Sequence, residues 1–150
     1  MNGKQKPMIP VDHVTDDIFR WLMDTVPTSS QFSYKSRFIS IRGKIVLIPE
    51  PEFMALAHVL GVMFERIQFA ACVLTPSDMS SIEEDIRDRI GGTWSSHWSP
   101  SASIRKLAKR GALTFERHTV PGCKNVFEYI VTLNGPVSIS EHGILCIGDK

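Results

Sequence analysis

The residues with the clearest chemical potential lie in the segment 100–110, PSASIRKLAKR. At about 100° per residue, a helix over this segment separates apolar from basic side chains. The apolar side holds Ile104, Leu107 and Ala108. The basic side holds Arg105, Lys106 and Lys109, next to the small residues Ser101 and Ala102. Small residues let a helix enter the major groove of DNA, where Arg and Lys reach phosphates or guanine edges.

A second group of polar residues follows in two β-rich runs, Leu113–Thr119 and Val126–Leu133. The Pro-Gly pair within the intervening residues 120–125 predicts a turn, and therefore a hairpin. Arg117, Lys124 and Asn125 lie near its tip, where they could contact a flanking groove or phosphates.

The charge distribution supports this focus. The chain carries a net charge of +1, yet residues 87–124 hold eight Lys/Arg against only Asp88 and Glu116. A basic segment in a nearly neutral protein favours a local anionic partner. The alternative is that the basic helix face is simply solvated, as many exposed helix faces are.

Other chemistry has little support. His97, His118, Cys123, His142 and Cys146 lack the spacing of a zinc site, so we expect no metal. No nucleophile elbow, phosphate loop or HExxH motif occurs, so we expect neither an enzyme nor a cofactor. Trp94, His97 and Trp98 could stack on bases, but aromatic residues between helices more often pack onto the core.

Composition bounds the class of protein. With 150 residues, 43% hydrophobic and 22% charged, the chain predicts one globular domain with short arms. Its three cysteines suggest reduced thiols, and its longest apolar stretch is too short to cross a membrane. No signal-peptide pattern follows Met1, so we expect a cytoplasmic protein.

The elements that must position the basic helix begin with an arm over 1–11 and an amphipathic helix over 12–24. Phe38–Ile41 and Lys44–Ile48 predict a hairpin because Arg42-Gly43 makes a two-residue connection. A helix should then start at Pro51.

The middle of the chain is less distinctive. We expect a continued or second buried helix over 62–74 and a turn over 75–78. A further helix should begin at Ser80 and end at Gly91-Gly92. A loop over 93–99 then precedes the basic helix, and one or two short strands should occupy 137–147.

Residues 103–113, SIRKLAKRGAL, followed by a hairpin ending FEYIVT, resemble the recognition helix and wing of winged helix-turn-helix regulators. The upstream strands and the run Leu47–Phe53 are similar to the DNA-binding domain of OmpR/PhoB-type regulators, here without a receiver domain. The resemblance implies an α+β winged helix-turn-helix over 36–133, with an N-terminal β-hairpin and a C-terminal wing hairpin. Residues 1–35 would form an arm and helix, and 134–150 a tail or short strands.

The expected function is sequence-specific regulation of transcription through binding to double-stranded DNA. The candidate DNA-binding residues are Ser101, Arg105, Lys106, Lys109, Arg110, Arg117, Lys124 and Asn125. The alternative is a winged-helix module that binds protein as an anti-activator or adaptor. In that case residues 61–74 or the C-terminal tail would contact the partner, or a second copy of the chain in a homodimer.

Overall fold

The computed structural model describes residues 16–25, 36–66, 71–90 and 100–148. The helices are α1 (Asp16–Thr25), α2 (Glu50–Arg66), α3 (Pro76–Ile90) and α4 (Pro100–Lys109). The strands are β1 (Ser36–Ile41), β2 (Lys44–Pro49), β3 (Ala71–Leu74), β4 (Leu113–Thr119), β5 (Phe127–Leu133), β6 (Val137–Ile139) and β7 (Leu145–Ile147). The expected α+β class is confirmed.

The first hairpin is confirmed, with Ile41 paired to Lys44 across a two-residue loop. Arg42 and Gly43 have φ values of 53° and 83°, the pair of positive angles that a type I′ turn requires. β1 also pairs in parallel with β7, and β7 pairs antiparallel with β6. The resulting sheet has the order β2-β1-β7-β6, so it unites the first hairpin with the short C-terminal strands that the sequence predicted.

α2 is the central helix of the core. Phe53, Leu56 and Leu60 are buried at helical spacing, as predicted, and most of the other side chains of α2 are buried too. The helix continues through Gly61 to Arg66, and a Cβ added at residue 61 would lie 3.4 Å from the ring of Phe19 in α1, at van der Waals contact. Glycine therefore lets α1 lie close against α2.

The expectation of a helix through residue 74 is wrong at its end. Ala71–Leu74 is a strand, β3, which pairs antiparallel with β5. This apolar run is too short for its pattern to distinguish a buried helix from a buried strand. Its pairing with residues 129–132 identifies it as a strand. A second sheet, of order β3-β5-β4, results.

α3 begins at Pro76, four residues before the predicted start at Ser80, and replaces the expected turn. Thr75 caps it: its hydroxyl accepts the N–H of Asp78 at 3.2 Å, while the Asp78 carboxylate accepts the N–H of Thr75 at 2.7 Å. This reciprocal pair satisfies two backbone donors at the helix start. Asp78 also receives a hydrogen bond from the guanidinium of Arg66 in α2, which joins the two helices.

One hydrophobic cluster joins all these elements. Ile18 and Leu22 of α1 are buried, which confirms the amphipathic helix predicted there, and Ile82 and Ile86 of α3 face the same core. The predicted arm and the loop over 93–99, with Trp94, His97 and Trp98, lie outside the described residues. Of the described helices, none has the length and apolar character needed to cross a bilayer.

The cap of α3 predicts a specific acid sensitivity. Burial opposes ionisation of Asp78, but hydrogen bonds from Arg66 and Thr75 outweigh it and hold the pKa of this carboxyl below its usual value. Its contribution to stability is therefore present above about pH 4 and is lost as pH falls towards the folded-state pKa. We expect Asp78→Asn to lower the free energy of unfolding by about 1–2 kcal/mol at neutral pH.

Denaturant titrations of wild type and variant between neutral and acid pH check this expectation. The difference between the two should shrink as pH falls below about 4, because Asp78 of the unfolded wild-type chain takes up a proton there before Asp78 of the folded chain does. Asp88→Asn, at an exposed position of α3, is the matched control and should change stability by less than about 0.5 kcal/mol. A constant difference between wild type and Asp78→Asn at every pH would contradict the explanation.

Candidate nucleic-acid interface

α4 separates its residues into a buried and an exposed side, as its periodicity predicted. Pro100, Ser103, Ile104 and Leu107 are buried, and the helix packs chiefly on α2. Arg105, Lys106 and Lys109 are exposed. Among the described residues none of these three cations forms an ion pair. The positive charge of this helix face is therefore available to a partner.

The C-terminal end of α4 is closed by a Schellman motif. The N–H of Gly111 bonds to the carbonyl of Ala108 at 3.0 Å, and the N–H of Ala112 bonds to that of Leu107 at 3.1 Å. Gly111 has φ +89°, a left-handed conformation that glycine adopts at little cost. The chain then enters β4 at Leu113, so the orientation of α4 and that of the following hairpin are coupled.

Arg110, the last basic residue of the segment 100–110, has a structural partner. Its Nε donates to Glu52 Oε2 at 2.7 Å, 58 residues away at the start of α2. The Glu52 side chain is only 2% exposed, and that of Arg110 is 32% exposed. Glu52 Oε1 has no hydrogen-bond partner in the described part of the chain, so Arg110 is this carboxylate's main compensation. The position of Arg110 thus suits holding α4 in place more than contacting a ligand.

Ser101 and Asn125 come together at one groove. This groove, of about 390 Å³, separates the first turns of α3 and α4 from the end of the β4–β5 hairpin. Its apolar wall consists of Met79, Val126, Phe127 and Tyr129. Ser101 is half-buried and Asn125 is exposed. The end of the hairpin therefore lies beside the N-terminal end of α4, and one residue from each of the two predicted groups lines the same groove.

Arg117 lies on the helix side of the hairpin. Strand alternation puts it on the same face as Leu113 and Phe115, opposite Tyr129 of β5. Its guanidinium carbon sits 4.4 Å from the centre of the Phe127 ring. The ring holds the guanidinium over an apolar surface by a cation–π contact and leaves its edge exposed to solvent.

The hairpin tip has the predicted Pro-Gly turn. The N–H of Cys123 bonds to the carbonyl of Val120 at 3.0 Å, and Gly122 has φ +79°, as the third position of a type II turn requires. Lys124 and Asn125 follow and are both exposed. Asn125 takes a φ of 59°, which an Asn tolerates better than most residues.

Carboxylates also lie near these residues: Glu128 of β5 pairs with His118 of β4, and Glu83 and Glu116 are close by. Glu83 of α3 lines the groove, but it pairs with Arg87 at 3.0 Å. Glu116 points to the opposite face of β4 from Arg117 and lies 3.4 Å from His118. The five exposed cations Arg105, Lys106, Lys109, Arg117 and Lys124 outnumber these acids.

Two residues of this region were missed by the sequence reasoning. Phe127 could have been found, because hairpin register alone places it diagonally across from Arg117. Glu52 had no local signal, since its partner lies in a distant element. Among the described residues, no group of three or more His, Cys, Asp or Glu side chains is arranged to bind a metal ion.

No protein-family model, curated protein or solved structure matches the chain.

The Arg110–Glu52 pair predicts that two adjacent basic residues differ sharply in their effect on stability. Arg110→Ala leaves a buried carboxylate unpaired and should lower the free energy of unfolding by about 2–4 kcal/mol, somewhat less than for a fully buried pair because Arg110 is partly exposed. Lys109→Ala removes the same charge from the exposed face and should change stability by less than about 0.5 kcal/mol. Denaturant titration measures both. Equal effects of the two variants would show that the pair does not hold α4.

Proposed function

We propose that residues 36–133 form a winged helix-turn-helix, with an N-terminal β-hairpin, that binds double-stranded DNA, and that the protein regulates transcription through this binding. The observation that carries the proposal is the exposed cationic face of α4, next to a basic β-hairpin whose end shares a groove with the first turn of that helix. The fold adds support, since the surface lies on a small, well-packed α+β core rather than on an extended basic arm.

The order of elements supports a winged helix. Helix α2, strand β3, helices α3 and α4, and strands β4 and β5 follow one another along the chain. Their three strands pair in the order β3-β5-β4, entirely antiparallel. In this assignment α4 is the recognition helix, and residues 120–126 form the wing between β4 and β5. The hairpin β1–β2 is the N-terminal addition.

In the proposed complex α4 lies in the major groove. Arg105 and Lys109 share the centre of its exposed face at i, i+4 spacing, while Lys106 flanks them. The small residues Ser101 and Ala102 in the first turn let the helix approach base edges closely. Arg110 is left out of the contact set that the sequence suggested, because Glu52 already holds its guanidinium.

The hairpin supplies contacts outside that groove. Arg117 is held over Phe127 and needs little further ordering to donate to a phosphate. Lys124 and Asn125 at the tip can bond to the same strand of the duplex, as residues of a wing do when they position the recognition helix. Activation and repression are both compatible with this mode of binding.

The proposal predicts a charge-dependent affinity. The wild-type protein should bind duplexes selected from a randomised pool, and the affinity should fall steeply between about 50 and 200 mM salt as counterions are released. Arg105→Ala/Lys109→Ala should weaken binding at least tenfold. It should also reduce the slope of log affinity against log salt by about 1–2, in line with the two lost contacts. Fluorescence anisotropy over a salt series measures both quantities.

Arg20→Ala/Lys44→Ala is the matched control, because it removes two exposed charges from α1 and the first hairpin. It should leave the salt slope within about 0.5 of the wild-type value. Should Arg105→Ala/Lys109→Ala bind DNA as tightly as wild type, the assignment of α4 as the recognition helix is wrong. Absence of salt-dependent DNA binding by the wild-type protein would remove the proposed function itself.

A further inference from the structure

The first hairpin carries an apolar patch on the face that points away from α2. Phe38, Ile45 and Leu47 are 59%, 52% and 50% exposed, and in the described part of the chain they are the exposed large hydrophobic residues. Phe38 pairs directly with Leu47, and Ile45 pairs with Ser40, so all three side chains share one face. A cluster of this kind on a strand surface indicates a contact site.

The patch coincides with a free sheet edge. In the described sheet, β2 is an outer strand. Its pairs with β1 alternate between hydrogen-bonded and non-bonded, starting from the bonded pair Ile41–Lys44 that closes the turn. By this alternation Lys44, Val46 and Ile48 bond to β1. The backbone groups of Ile45 and Leu47 therefore point outwards, away from the sheet.

The two ends of β2 limit how another strand can pair with it. Pro49 is the next residue with outward backbone groups, and it lacks an N–H. At the other end the turn at Arg42-Gly43 bends the chain away from the sheet. Within β2, Ile45 and Leu47 are therefore the residues that offer both an outward N–H and an outward carbonyl. They lie one on each side of Val46, so a two-fold rotation about Val46 maps this pattern onto itself.

We propose that β2 pairs antiparallel with β2 of a second copy of this chain, with Val46 on the two-fold axis. Ile45 of each copy then lies opposite Leu47 of the other, and each residue exchanges both of its free backbone hydrogen bonds. The two sheets become one continuous sheet. Ile45 and Leu47 each gain an apolar neighbour on the side that faced water, with Phe38 packed against Leu47 within each copy.

A second copy of the chain fits this edge because Ile45 and Leu47 of one β2 strand match Leu47 and Ile45 of the other. The area is modest: three partly exposed side chains and a short strand bury less than the roughly 800 Å² per partner of a standard interface. The dimer should therefore dissociate in the micromolar range, about 1–100 μM. This inference does not depend on DNA binding. If both hold, the dimer presents two α4 helices related by a two-fold axis, which suits a palindromic site.

Disulfide trapping tests the register. Val46 would face its own copy in a non-hydrogen-bonded pair, with Cα atoms about 4.5 Å apart, within the span that a disulfide bridges. In a Cys123→Ser background, which removes the exposed native thiol, Val46→Cys should form a covalent dimer under mild oxidation. Lys44→Cys, two residues along the same strand, is the matched control and should remain monomeric because its copies lie too far apart. Equal cross-linking of the two variants would overturn the register.

Sedimentation equilibrium over a concentration series tests the contact itself, without introduced cysteines. Wild type should shift from monomer to dimer as concentration rises through the micromolar range. Leu47→Lys should weaken the dimer at least tenfold, and it keeps the monomer fold because Leu47 is half exposed. Thr114→Lys, which places the same charge on the outer strand β4 of the other sheet, should leave the association unchanged. A wild-type chain that stays monomeric throughout the series overturns the proposal. This holds even if another protein is found to bind at the edge of β2.

Discussion

The buried carboxylate of Glu52 is the constraint on which the rest of the structure depends. It lies in the first turn of α2, almost without solvent contact, and the guanidinium of Arg110 bonds to it from the end of α4. A buried charge is tolerable only when it is paired, so the chain cannot place the end of α4 elsewhere without a large cost. Because Gly111 and β4 follow at once, this pair fixes the direction of the hairpin as well as that of the helix.

A second buried carboxylate in the first turn of α2 is paired with an arginine in the same way. Glu50 is also buried and bonds to Arg37 of β1 at 2.7 Å, and the guanidinium of Arg37 also lies over the ring of Phe53. The two acids suit the positive end of the helix dipole, and each binds one distant element. One helix terminus thus connects the four-stranded sheet through Arg37 with α4 through Arg110. The apolar body of α2 fills the core between them.

Much of the fold could be predicted because its signals are local. The I′ turn at Arg42-Gly43, the glycine after α4 and the Pro-Gly turn of the second hairpin depend on residues next to one another in sequence. Ala71–Leu74 could not be assigned, since a short buried run has the same pattern in a helix and in a strand and its pairing partner lies about sixty residues away. Residues 61–74 and the C-terminal tail were also expected as protein-binding surfaces, and binding through them stays a prediction. Among their described residues, Met63, Cys72, Leu74 and the apolar side chains of β6 and β7 are buried in the core.

The candidate site shows the same division between local and distant information. Helical periodicity alone separated the exposed Arg105, Lys106 and Lys109 from the buried side of α4. It could not separate Lys109 from Arg110, because what distinguishes them is a carboxylate in another helix. A run of basic residues in a sequence therefore overstates the positive charge available to a ligand, because some of these residues form ion pairs within the fold. Here the fold uses Arg37, Arg66 and Arg110 in such pairs, whereas Arg105, Lys106 and Lys109 stay exposed along one face of α4. That concentration of unpaired charge, more than the number of basic residues, is what favours a polyanionic partner.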